Sequence, residues 1–155
     1  MDKMSKTSEV TNMEESGNIE TKWPSTPWDL LRLAISDLEK CEADPLYKID
    51  MDIWHEYDKH RNVCLVCLAG SVWAKTMGTD HLMPFRDFKL FPTSKHIGAI
   101  DDFRTGDITS GLNKFDLDLC HREEKAKIVQ YRTDREIFKL QMLILAEYLE
   151  SEYGD

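Results

Sequence analysis

Cys64 and Cys67 form a Cys-Leu-Val-Cys motif, a spacing found in zinc sites and in redox-active dithiols. A structural zinc ion needs four ligands, so two more are required. The candidate co-ligands are Cys120, His121, His55, His60 and His81. Cys120 and His121 are adjacent, and neighbouring side chains on a regular element point apart. A thioredoxin-like site would need a preceding strand, which the pattern does not indicate. The sequence therefore favours buried core cysteines, with zinc and redox chemistry as alternatives.

No catalytic set stands out elsewhere. The five histidines are scattered, and nothing pairs a nucleophile with a base and an orienting group. Gly106 and Gly111 are isolated, so there is no glycine-rich phosphate loop. The sequence points away from an enzyme and predicts no cofactor.

A second cluster mixes cations with aromatic rings, an arrangement that can stack bases or hold an anion. Phe85, Phe88 and Phe91 lie among its members. Its possible ligand-binding residues are Arg86, Lys89, Lys95 and His96. A nucleotide-like ligand site, in a binding protein or an enzyme, is the alternative function for residues 85–96. The competing interpretation is a loop anchored to the core by its aromatic residues, with exposed lysines.

A third cluster is acidic and lies next to aromatic residues, which suits docking onto a basic protein surface. Its members are Asp50, Asp52, Trp54, Glu56, Tyr57 and Asp58. We name this set the acidic edge and predict that it binds a partner. A solvated charged face is the alternative interpretation, and the spacing does not match a calcium loop.

Charge and hydropathy narrow the class of partner. The chain has 155 residues and a net charge of -9, so it repels nucleic acid and suits a basic protein. No apolar run is long enough to cross a bilayer, and the first residues lack the apolar stretch of a signal peptide. We therefore expect a cytoplasmic protein with reduced cysteines and no membrane contact.

Periodicity predicts a mainly α-helical fold with at most a minor β element. The main helices are predicted over Thr26–Ala43, Val63–Met77 and Thr133–Tyr153. Alternation over Tyr47–Ile53 predicts a strand. A short helix is expected after a cap at Thr93 or Ser94, and another short helix or turn from Asp107. Residues 1–24 are polar and aperiodic and are predicted to be a flexible tail, and residues 25–155 a single globular domain.

The helix predicted over Thr133–Tyr153 is apolar on most of its circumference, which is typical of a core helix or a subunit interface. Thr133 and Glu136 have the spacing of a capping box. A homo-oligomer could form through this helix. In the middle of the chain, Gly70 and Ala69 allow the close approach of another helix, and this one is the expected neighbour.

Two stretches, "NVCLVCLAGSVWAKTM" and "IGAIDDFRTGDI", carry a resemblance. They resemble segments of small phage-encoded accessory proteins of unknown function. The matching positions are Cys64, Cys67, Leu68, Ala69 and Gly70, then Asp101, Arg104 and Gly106. The resemblance implies a viral accessory origin, and small acidic accessory proteins of phages often bind a host or defence component, including CRISPR or restriction machinery. The missing catalytic set and the polarised acidic surface predict a non-enzymatic protein that inhibits or modulates such a partner by masking its surface. The resemblance carries over no site residues.

Overall fold

The computed structural model describes residues 23–82, 95–117 and 127–154. Within these ranges the chain forms five helices and a three-stranded sheet, which confirms a mainly helical fold with a small β element. The helices are α1 (Pro27–Ala43), α2 (Leu68–Lys75), α3 (Lys95–Arg104), α4 (Ile108–Asn113) and α5 (Arg135–Tyr153). The strands are β1 (Tyr47–Ile49), β2 (His55–Asp58) and β3 (Val63–Val66).

Helix α1 begins and ends where the sequence predicts. Thr26 is its N-cap, and the Thr26 side chain accepts a hydrogen bond from the Asp29 backbone N–H at 3.3 Å. Pro27 occupies the first turn, where its missing N–H costs nothing. Asp44 ends the helix just before Pro45. The apolar face of α1, from Leu30 to Cys41, is buried in the core.

The predicted helix Val63–Met77 is wrong in its first part. Val63–Val66 is the central strand β3, and the helix begins only at Leu68. A short, fully buried strand reads as a continuous apolar run, which periodicity cannot distinguish from a buried helix. A strand therefore does precede Cys67, contrary to the sequence-based expectation.

The sheet has the order β1-β3-β2, with β1 parallel and β2 antiparallel to β3. The predicted strand Tyr47–Ile53 is real but stops at Ile49, because the chain turns at Asp50, whose carboxylate accepts the Asp52 N–H at 3.0 Å. The register aligns Tyr47 with Cys64 and Ile49 with Val66. The buried face of β3 thereby meets Cys41 and Ala74 from α1 and α2.

Gly70 does allow a close approach, but its neighbour is not the C-terminal helix. An added Cβ at Gly70 would lie 1.7 Å from the carbonyl oxygen of Trp54, in the segment before β2. The indole of Trp54 also lies against Trp73, with ring centroids 5.8 Å apart. Gly70 therefore fixes the sheet against α2.

Helices α3 and α4 match their predictions. Ile97, Ile100 and Phe103 are buried in α3, and Gly106 follows it with a φ of 89°. Asp107 caps α4, accepting a hydrogen bond from the Ser110 N–H. These elements join α1, α2 and α5 in one hydrophobic core. No helix in the described ranges is long and apolar enough to span a membrane.

Candidate functional site

The two cysteines of the Cys-x-x-Cys motif belong to different parts of the core. Cys64 lies in β3 beside Cys41 and Val66, whereas Cys67 is the N-cap of α2, and its sulfur accepts from the Gly70 N–H at 3.4 Å. Cys120 and His121 lie outside the described residues. Among the described residues, no group of three His, Cys, Asp or Glu side chains is placed to hold a metal ion. The zinc alternative therefore receives no support from the described residues.

The described thiols are poorly suited to chemistry. Burial raises the pKa of Cys64 to about 12 and the pKa values of Cys41 and Cys67 to about 11. Reactive cysteines have the opposite shift, because the thiolate is the nucleophile. These three thiols therefore remain protonated at neutral pH and act as core packing.

The structure places one of the candidate co-ligands, His55, beside Cys64. The Cys64 sulfur lies 3.5 Å from Nδ1 of His55, a buried histidine on β2, and Oγ1 of Thr79 lies 3.4 Å from Nε2 of the same ring. Only the register of β2 against β3 reveals this pairing. Since the thiol is held neutral by burial, the pair is a buried polar contact rather than a nucleophile and base.

The basic-aromatic cluster is described only in part, since Arg86 and Lys89 lie outside the described residues. The ring of His96 stacks on Trp23 with centroids 4.9 Å apart and an interplanar angle of 5°. Lys95 lies over the ring of Phe115 at 5.5 Å, and the edge of His96 meets the same ring at 5.6 Å. Both described members thus make aromatic contacts inside the molecule.

The acidic edge is only partly available for binding. Asp50 folds the turn after β1, and the carboxylate of Asp58 accepts the His60 N–H at 2.9 Å, which folds the turn after β2. Trp54 is half-buried, and the hydroxyl of Tyr57 contacts the side chain of Asn62. Asp52 and Glu56 are exposed. The edge therefore combines structural carboxylates with two exposed ones.

A groove of about 510 Å³ lies between the Asp50–Asp52 turn and residues 128–132. Its lining carries both signs of charge, from Asp50 and Asp52 and from Arg104 and Arg132. Arg104 is paired with Asp101 at 2.9 Å. The mixed lining selects no single ligand chemistry.

Helix α5 is positioned by an N-cap and by ion pairs with α1. Its N-cap is Asp134, whose carboxylate accepts the Ile137 N–H at 3.1 Å, so the predicted Thr133 capping box is wrong by one residue. The buried Lys139 donates to Glu42 of α1 at 2.8 Å. Near the other end, Arg32 of α1 donates to Glu150 at 2.7 Å. These contacts fix which face of α5 meets the core.

The inner face of α5 packs into the core through Phe138, Met142, Ala146 and Leu149, all at most 1% exposed. The opposite face is also apolar, yet it is open. At about 100° per residue, positions 137, 140, 144 and 148 form one row about 16 Å long. We name this row the α5 outer row. The exposed fractions of its members are Ile137 41%, Leu140 56%, Ile144 54% and Tyr148 45%.

The border of the α5 outer row is acidic. Glu136, Glu147 and Glu150 fall along one side of it by helical rotation, beside Leu143, which is 39% exposed. Between Ile137 and Tyr148 the sequence has a single cation, Lys139, which is buried against the carboxylates of α1. Glu147 takes part in no ion pair with the described residues. The outer surface of α5 is thus apolar along its centre and negative along one side.

No protein-family model, curated protein or solved structure matches this chain. The function must therefore be inferred from the surfaces of this chain. Sequence periodicity showed that the C-terminal helix is apolar nearly all round, but it could not tell the core face from the open face. The contacts of α5 with α1, Lys139 to Glu42 and Arg32 to Glu150, distinguish the two faces.

Proposed function

We propose that this protein is a non-enzymatic binding module that docks onto another protein through the α5 outer row and masks part of its surface. The main support for this proposal is the second apolar face of α5, whose four side chains are 41% to 56% exposed on the side opposite the core. Contiguous exposed apolar surface beside polar residues is typical of interaction sites.

The described chemistry supports binding over catalysis. Burial holds the thiols of Cys41, Cys64 and Cys67 in the neutral form, with pKa values raised to about 11 or 12. A binding surface needs no reactive group, and its affinity comes from apolar anchors bordered by polar residues.

The net charge of -9 favours a basic partner, and the exposed Asp52 and Glu56 of the acidic edge add a second negative surface. The resemblance to small phage accessory proteins supports a host or defence-system protein as that partner, such as CRISPR or restriction machinery. Inhibition would follow from steric masking of the surface that the partner uses.

The test is affinity capture from a lysate of the native host, with mass spectrometry of the retained proteins. We expect the wild-type protein to retain a partner that the double variant Leu140→Glu with Ile144→Glu loses. Both side chains are more than half exposed, so the variant should keep its fold, which circular dichroism and Tm check.

The matched control is Leu46→Glu with Leu82→Glu, because these leucines are 45% and 54% exposed and lie outside α5. It adds the same two charges and should retain the partner. Equal retention by both double variants, or no partner for the wild-type protein, would contradict the proposed function.

A further inference from the structure

Resting on the proposed function, we infer that the α5 outer row takes a basic amphipathic helix, with its apolar side on the row and its cations beside Glu136 and Glu147. An amphipathic helix docks through apolar side chains on one face, at i, i+3, i+4 and i+7. The row offers it apolar side chains on one face of α5 at i, i+3, i+7 and i+11. The row is about 16 Å long, equal to about three helical turns.

The carboxylates select the sign of the partner's charge. Glu147 has no cationic partner among the described residues, and Glu136 is 77% exposed although it lies 3.3 Å from Lys139. Glu150 is held by Arg32 and marks the end of the negative border. A partner helix with lysine or arginine on one flank would place these cations beside Glu147, which lacks an ion pair among the described residues, and beside the exposed Glu136.

A second copy of this chain fits the row poorly. Antiparallel pairing centred between Leu140 and Ile144 would place Glu147 of one copy near Ile137 and Glu136 of the other. Parallel pairing would place the two Glu147 side chains near each other. Both arrangements bring carboxylates together, and each copy already carries a net charge of -9. The homo-oligomer predicted through residues 133–153 is therefore the less favourable occupant.

The test uses two synthetic helical peptides of about 18 residues with leucines at the same amphipathic positions. One carries lysine and arginine on its polar side, and the other carries glutamate. Fluorescence anisotropy measures the Kd of each for the full-length protein. We expect the basic peptide to bind at least about tenfold more tightly than the acidic peptide, with a Kd that rises steeply with salt.

Matched variants separate docking from general charge attraction. Leu140→Glu with Ile144→Glu should weaken binding of the basic peptide at least about tenfold, since it removes the apolar anchors. Leu46→Glu with Leu82→Glu makes the protein equally negative and should leave binding within about twofold of wild type. Glu147→Gln, which keeps the shape of the side chain, should weaken binding about threefold at low salt and have no effect at high salt.

Three outcomes would overturn the inference. They are equal binding of the two peptides, equal loss in both double variants, and a concentration-dependent dimer that Leu140→Glu with Ile144→Glu abolishes in sedimentation. If host capture still depends on Leu140 and Ile144 while the peptides bind equally, the proposed function stands and the basic helix is wrong. If host capture does not depend on Leu140 and Ile144 and the two peptides also bind equally, the α5 outer row is not a docking surface.

Discussion

Replacing Gly70 with alanine is expected to lower the free energy of unfolding by about 4 kcal/mol or more. Helix propensity alone predicts the opposite sign, because alanine stabilises a helix interior by about 1 kcal/mol relative to glycine. The structure reverses this expectation, since the new Cβ would lie 1.7 Å from the carbonyl oxygen of Trp54 and 2.9 Å from its carbonyl carbon. Backbone atoms cannot rotate away as a side chain can, so α2 must separate from the segment before β2.

Thermal or urea unfolding measures the effect, and Tm should fall by roughly 10 °C or more. The matched control is Gly98→Ala in α3, where the added Cβ meets the flexible end of Lys114 at 3.0 Å. That variant should remain within about 1 kcal/mol of wild type. A Gly70→Ala protein as stable as the control would show that the Trp54 backbone does not press on α2.

Replacing Lys139 with methionine is expected to cost about 3 kcal/mol of stability at neutral pH. The Lys139 ammonium is 2.8 Å from Glu42, 3.3 Å from Glu136 and 3.4 Å from Glu39. Burial alone would lower the pKa of Lys139, but the hydrogen bonds that its ammonium donates to Glu42 and Glu136 outweigh burial and raise the pKa. Methionine keeps the length of the stem and removes the charge, which leaves the mostly buried carboxylate of Glu42 with the hydrogen bond from the Tyr131 hydroxyl and the weaker attraction of Arg135.

The control is the double variant Lys139→Met with Glu42→Gln. An amide oxygen can still accept from Tyr131, and no buried charge remains, so part of the lost stability should return. No recovery in the double variant would show that packing rather than charge causes the loss.

The same pair predicts a pH dependence. Burial would raise the pKa of Glu42, but the hydrogen bonds from Lys139 and Tyr131 lower it below its usual value. A carboxyl with a lowered pKa in the folded state contributes stability above its unfolded pKa and loses it as pH falls through the folded pKa. The stability gap between wild type and Lys139→Met should therefore be constant near neutral pH and shrink on acidification. A gap that grows in acid would contradict the pairing.

Sequence patterns were most informative where a helix has two different faces and clear end signals. Thr26, Pro27 and Pro45 bound α1 at its observed ends, because caps and prolines act locally. The same reasoning was wrong for Val63–Val66, because a central strand is buried on both faces and shows no alternation of polar and apolar residues. The approach of Trp54 to Gly70 depends on contacts between segments distant in sequence, which one sequence does not reveal.

The sequence predicted the apolar composition of the α5 outer row but not which of its residues are exposed. Its apolar residues were visible in "IFKLQMLILAEYL", and they indicated either a core or an interface. The structure assigns Phe138 and Met142 to the core and leaves Leu140 and Ile144 open. The acidic edge, which the sequence placed first, uses Asp50 and Asp58 to fold turns and remains a predicted second binding surface.

The most direct test of the docking claim is site-specific photo-crosslinking in the native host. A photoreactive amino acid is placed at position 144, on the α5 outer row, and in a parallel sample at position 82, where Leu82 is equally exposed. We predict a discrete crosslinked partner from position 144 and none from position 82. The same adduct from both positions, or none from position 144, would contradict the assignment of the α5 outer row as the binding surface.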